Sequence, residues 1–244
     1  MKHIEPRLIN TLDTIEQINS ATDLDDVFDK LTEYGLSLGF ETISLSPLIN
    51  PAVLDIDISL VGRSTWPDEF LQTWINKNYV IHDPVSRRAL TNHNIVMWKD
   101  AYKTASAKGR HILDEGAEYG LAEGMSVPVH LPQLPPGAIA FSGSHCDFSP
   151  EEMAEIQLIS TPAYSRFMRL SDFDDIAQIS TLTERECEIL HYVAAGKTNR
   201  QIANLFTISE YSVKDHMKNI SLKLRAANRA HAVSLGVLSG QIMI

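Results

Sequence analysis

Apolar residues recur at helix-like spacing from the first residues onward. Leu8, Leu12 and Ile15, then Val27, Leu31 and Leu38, predict that residues 5–38 are mostly helical. The runs TISLSPLI (42–49) and LDIDISLVG (54–62) alternate apolar with polar positions and predict strands. Pro67 suits the first turn of a helix running to about Asn78, and residues 104–120 read as another helix. EGMSVPVHL and GAIAFSGS are strand-like and are joined by the loop PQLPPG. Ser149 as N-cap, Pro150 at the first helical position and acids in the first turn start a further helix. The polar stretch RLSDFDDIAQIS, residues 169–180, reads as a linker. Strands and helices mix with hairpin-like strand pairs. The pattern predicts an α+β chain: an N-terminal α/β/α sandwich with a central antiparallel sheet over residues 1–168, then an all-α domain over 181–244.

The pattern beyond residue 180 is sharper. Thr183 with Glu186, and Thr198 with Gln201, form S/T-x-x-E/Q capping boxes, and Gly196 stands where a left-handed C-cap residue belongs. Ser209 caps a third helix after the turn FTI. On that helix Val213, Met217, Ile220 and Leu224 make one apolar stripe, while Tyr211, Lys214, His216, Lys218 and Asn219 fall largely elsewhere. Lys214 and Lys218 are one turn apart and point the same way. Such a helix, packed across a short turn on a second helix, can enter the major groove of DNA.

Charge supports this division. The chain is 244 residues long with net charge −10, which argues against a nucleic-acid binder as a whole. Residues 1–180 hold 13 Lys+Arg and 26 Asp+Glu, whereas residues 181–244 hold 8 and 5. A basic module on an acidic body points to a polyanion partner for the tail alone. The remaining composition excludes more than it adds. No apolar run is long enough to span a membrane, and the N-terminus lacks a signal-peptide core, so a cytoplasmic protein without membrane association is expected. Cys146 and Cys187 are expected to be reduced thiols, and the scattered histidines give no metal site and no cofactor site.

The tail resembles the DNA-binding domain of the LuxR family of bacterial transcription regulators. LTERECEIL, GKTNRQIA, ISEYSVKDH and KLRAANRAHAV fit the family pattern in order and spacing, with Glu186, Leu190 and Gly196 at the positions the family emphasises. The resemblance implies a four-helix helix-turn-helix domain with helices near 183–195, 198–206, 210–224 and 228–236. It implies DNA contacts from Thr198, Ser209, Tyr211, Lys214, His216 and Lys218. It also implies a homodimer, in part through the last helix, on an inverted-repeat operator of double-stranded DNA.

The tail does not name the signal that the body reads. A phosphate receiver needs acids after its first and third strands and a Lys after its fifth, and no such series is present. Enzyme motifs are missing too: no nucleophile elbow, no dinucleotide fingerprint and no P-loop. Ser142, Ser144, His145 and Asp147 crowd into one loop, a poor basis for triad geometry. The body instead resembles, over roughly residues 5–168, the autoinducer-binding domain of quorum-sensing LuxR proteins. Phe70, Trp74, Asp83-Pro84, Trp98 and Gly124 carry the likeness by their spacing. The resemblance implies a small-molecule effector whose amide N–H is held by Asp83 among packed aromatics. The alternative for Asp83 is a local one, bonds to neighbouring backbone N–H groups as in an Asx turn.

Four positions depart from the lactone-binding pattern. Phe70 replaces a Trp whose indole N–H donates to the lactone carbonyl, Trp74 replaces a Tyr, Trp66 stands where many relatives place a Tyr, and Ala140 falls where a hydroxyl is often found. A site without those donors gives less to the same ligand. The changes resemble a subgroup of solo LuxR proteins from plant-associated bacteria, although Phe70 is not that subgroup's usual residue. The expectation is therefore a non-lactone, plant-derived amide or amine. An acyl-homoserine lactone, or no ligand at all, remains an alternative.

Overall fold

The computed structural model describes residues 6–49, 62–132, 134–144, 148–171 and 180–242. The chain divides into two compact units, the first ending at Ser171 and the second containing everything beyond it.

In the first unit, α1 (Pro6–Ser20) and α2 (Leu24–Ser37) lead into β1 (Thr42–Pro47) and β2 (Arg63–Ser64). Short helices follow: α3 (Asp68–Asn76), a single 3-10 turn at Tyr79–Ile81, and α4 (Pro84–Ala89). Next come β3 (Val96–Met97), α5 (Trp98–Lys103), α6 (Ala107–Glu118), the hairpin β4 (Gly124–Val129) and β5 (Gly137–Ser142), and the long α7 (Pro150–Leu170). The sheet order is β2-β1-β5-β4-β3, with every pairing antiparallel. Helices α2 and α7 pack on one face, with α1 laid against those two helices, and α4 and α5 pack on the other. This is the α/β/α sandwich that the pattern predicts.

The two faces of the sheet carry different sizes of side chain. Ile43, Leu45, Met125, Val127, Ile139 and Phe141 are almost wholly buried towards α2 and α7, beside Ile156, Ile159, Tyr164 and Phe167. The alternate residues on the opposite face are small. Ser44, Ala140 and Ser126 stand side by side in register, and Ser46 lies beside Ala138 in the next row. Large residues on one face bury the area that stabilises the fold. Small ones on the other leave a void against the short helices.

Several expectations need correction at their edges. Leu12 is 47% exposed, and α1 instead buries Thr11 and Thr14 with Ile18. The helix can turn a polar face inward because Thr11 Oγ1 shares a 2.8 Å hydrogen bond with the Tyr34 hydroxyl. Pro67 is the N-cap residue, and α3 stops at Asn76 because Asn78 adopts a left-handed φ of 51°. Residues 169–171 close α7 rather than begin a linker: Ser171 N–H bonds Phe167 O, and its hydroxyl bonds Met168 O. The rest of the linker to residue 179, the strand-like run 54–61, and His145, Cys146 and Asp147 lie outside the described residues.

The second unit is helical: α8 (Glu184–Ala194), α9 (Asn199–Phe206), α10 (Glu210–Lys223) and α11 (Arg229–Leu238). Both capping boxes form, and Gly196 takes a left-handed φ of 76° after α8. Val213, Ile220 and Leu224 are fully buried and Met217 partly so, which fixes α10 against its neighbours.

Candidate functional site

The void in the first unit is a cavity of about 390 Å³ between the small-residue face of the sheet and the short helices. Helix α3 contributes Phe70 and Trp74 at i and i+4, the strand before it leads to Trp66, and α5 opens with Trp98. Phe70 and Trp98 are buried, while Trp66 and Trp74 are partly so. The Trp66 ring lies 5.7 Å from Phe70 and edge-on to Trp98 at 6.3 Å, so three rings frame one corner. Asp83 and Ala140 also line the cavity.

Gly124 does not line it but sits beneath the Trp98 indole. A Cβ there would fall 2.9 Å from that ring and 2.7 Å from Phe141 O, so only glycine lets the tryptophan lie against the strand.

Asp83 has a more settled environment than a lone acid among aromatics would have. It is the N-cap of α4, where Pro84 takes the first helical position. Its Oδ1 accepts from Val85 N–H at 3.0 Å, and its Oδ2 accepts from Ser86 N–H at 3.0 Å and from the Ser86 hydroxyl. The carboxylate is therefore well supplied with donors, and the local bonds to neighbouring backbone N–H groups are made. Burial still pushes the Asp83 carboxyl above the usual carboxylate range, with the Ser86 and Val85 donors opposing it. A carboxylate offers about four acceptor directions. Three are used, and the fourth, on Oδ1, can accept one N–H from a ligand.

The structure adds residues that the sequence did not single out. Ser44, Ser46 and Ser126 all line the cavity. They stand beside Ala140 and Ala138, so strands β1 and β4 bring hydroxyls to a wall whose β5 positions have none. Ser126 Oγ accepts the Trp98 indole N–H at 3.0 Å. The alternation in TISLSP marked Ser44 and Ser46 as one polar face, but nothing local showed that this face meets a cavity rather than solvent.

In the second unit Lys214 and Lys218 are exposed on one side of α10, and Tyr211, 78% exposed, shares their side at i−3 and i−7. His216 is partly buried and stands two residues from Lys214, roughly 200° round the helix, away from the lysines. Thr198 and Ser209 are the exposed N-caps of α9 and α10; their hydroxyls accept from Gln201 N–H and Ser212 N–H. A shallow hollow beside the lysines is lined by Asn199, Met217, Ser221 and Arg229. The Arg229 guanidinium ties Asn199 Oδ1 to Lys197 O. Glu186 is buried, and its carboxylate accepts from Thr183 N–H and from Lys223 Nζ at 2.6 Å. Leu190 is fully buried where α11 passes close at Gly236.

A cavity-bearing α/β unit joined to a helix-turn-helix unit defines a ligand-binding transcription regulator. Residues 23–167 match the model of the autoinducer binding domain, and residues 180–235 match that of the bacterial regulatory proteins of the LuxR family. The chain is 35% identical over 181 residues to the HTH-type quorum sensing-dependent transcriptional regulator RpaR of Rhodopseudomonas palustris, covering 73% of this chain and 74% of that one. It is 26% identical to the transcriptional activator BjaR1 of Bradyrhizobium diazoefficiens, over 93% of each chain. Its fold is similar to that of Escherichia coli SdiA, with a TM-score of 0.71 at 22% identity over 98% of this chain and all of that one. The chain belongs to the LuxR family of transcription regulators and is not an enzyme.

Proposed function

We propose that this regulator binds a small amide in the cavity of its first unit and that binding changes its affinity for an inverted-repeat operator, held as a homodimer in the cytoplasm. The observation that carries the ligand reading is Asp83, which lines an aromatic cavity with one acceptor direction open after its three capping bonds. That geometry suits one amide N–H. An amine cation needs several acceptors and gains less from a carboxylate already engaged by three donors. Lys214, Lys218 and Tyr211 on the open side of α10 support groove entry, with Thr198 and Ser209 at helix N-termini suited to phosphates. Val233 and Val237, one turn apart on α11 and only partly covered, support a dimer contact there.

Phe70 and Ala140 still favour a non-lactone ligand of plant origin, since neither can donate a hydrogen bond. The other reading, an acyl-homoserine lactone, gains from the hydroxyls of Ser44, Ser46 and Ser126 and from the likeness to a regulator described as quorum sensing-dependent. Thermal melting of the purified chain against short- and long-chain lactones, aromatic amides and plant extracts separates the two. A rise with non-lactone amides alone is expected. A larger rise with a lactone overturns the ligand preference.

A further inference from the structure

Three short helices that wall the cavity carry a second face. Helix α4 turns Ser86 and Ala89 to the cavity, α5 turns Trp98, and α6 turns Ile112 and Gly116. Their other sides carry cations. Residues 84–111 hold 6 Lys+Arg against the single acid Asp100, whereas the rest of residues 1–180 holds 7 against 25. Arg87, Lys99, Lys103, Lys108 and Arg110 are exposed, and Arg88 is half-buried. Packing draws several of them together. The Arg88 guanidinium donates to Thr104 Oγ1 at 2.5 Å and ties α4 to the end of α5. The Arg110 guanidinium lies 5.9 Å over the Tyr102 ring and brings α6 to α5. Lys103 donates to Asp100 at 2.7 Å, and Lys103, followed by Lys99 and Arg88, holds the Asp100 carboxyl below the usual carboxylate range. The result is a basic patch around the exposed Tyr102 on an otherwise acidic unit.

The surroundings decide what can dock there. A nucleic-acid duplex or an anionic membrane is larger than the patch and would press against the acidic remainder of the unit. Charges brought that close repel inside the Debye length of about 8 Å. A short acidic segment can lie on the patch alone. A tyrosine and an arginine at the centre, with lysines around them, is also the make-up of a protein contact, whose core favours Tyr and Arg and whose rim is charged. We infer that the outer face of α4, α5 and α6 docks an acidic segment of a partner protein, held by Lys99, Lys103 and Arg110 around Tyr102. This goes beyond ligand and operator binding and depends on neither.

The test is fluorescence anisotropy of a rhodamine-labelled dodecapeptide of Asp and Glu with one central phenylalanine, titrated with the full chain. A peptide with Asn and Gln in their place is the control. The acidic peptide is expected to bind saturably and the neutral one not to bind. Lys99→Glu with Lys103→Glu is expected to weaken binding about tenfold, because two surface attractions become repulsions. Lys214→Glu with Lys218→Glu reverses the same charge on the tail and is expected to weaken it less. No binding of the acidic peptide, equal binding of the neutral one, or a loss in the tail variant as large as in the patch variant overturns the inference. The patch variant is also mixed with a non-specific duplex and with phosphatidylglycerol vesicles. If it loses affinity for either of these and not for the peptide, the face serves nucleic acid or membrane and the inference fails. Should that variant melt below the wild type, Lys99→Gln with Lys103→Gln takes its place, with a smaller loss of peptide affinity expected.

Discussion

At the scale of single residues, Asp83 has two tasks. As an N-cap it satisfies Val85 and Ser86 N–H; as a cavity wall it keeps one acceptor direction for a ligand. Asp83→Ala removes the cap and should lower stability by about 1–2 kcal/mol in urea titrations followed by tryptophan fluorescence. All three tryptophans lie between residues 66 and 98, so this signal reports the first unit. Asp83→Asn keeps one accepting oxygen but sets its NH2 against a buried donor, so it too should lower the urea midpoint, while losing ligand response. The pH dependence has a definite sign. Burial raises the Asp83 pKa in the folded state above its unfolded value. The folded protein therefore holds that proton more tightly, and the contribution is most favourable below the ordinary carboxylate range. It is lost as pH rises from there through the folded value. Asp83→Asn should remove this component from the urea midpoint measured against pH. Gly124 is the other single position with a clear outcome. Gly124→Ala places a methyl group against the Trp98 indole and should cost about 1–3 kcal/mol through overpacking.

At the scale of elements, the tail was legible from sequence nearly residue by residue. Its information is local: capping boxes, a left-handed glycine and a 3.6-residue stripe each speak within one turn. Two left-handed residues escaped, Thr207 and Arg225, because a β-branched or charged residue gives no local sign of φ near 54° or 51°. The body was legible as strands and helices but not as a cavity. Ser44, Ala140 and Ser126 come from three strands, and only the register shows that they form one wall. Glu186 shows the same limit, since its capping box was visible but its ion pair with Lys223, 37 residues on, was not. Burial pushes the Glu186 carboxyl up, but Lys223 and Thr183 outweigh it and hold it below the usual value. A depressed pKa contributes stability above the unfolded value and loses it as pH falls through the folded one. Protection factors of α8 and α10 amides, taken relative to the intrinsic exchange rate at each pH, should therefore fall on acidification below the ordinary carboxylate range. Lys223→Met, which strands a buried charge, should destabilise the tail by on the order of 3 kcal/mol at neutral pH.

At the scale of the whole molecule, an acidic ligand-binding body carries a basic DNA-binding tail. Only the tail should set the salt dependence of operator binding. Lys214→Ala with Lys218→Ala should abolish specific binding, and, with two lysines lost from each protomer of the dimer, any residual binding should show a log-log salt slope reduced by about 4. The central claim is that a small molecule occupies the cavity of the first unit. The most direct measurement is the melting temperature of the full chain, wild type and Ala140→Leu, against one panel of aromatic amides and acyl-homoserine lactones. Leucine at 140 fills the wall between Ser44 and Ser126 without adding charge. A compound that occupies the cavity should raise the wild-type melting temperature with its concentration and leave Ala140→Leu nearly unmoved. An equal rise in both proteins, or no rise with any compound, would contradict the claim.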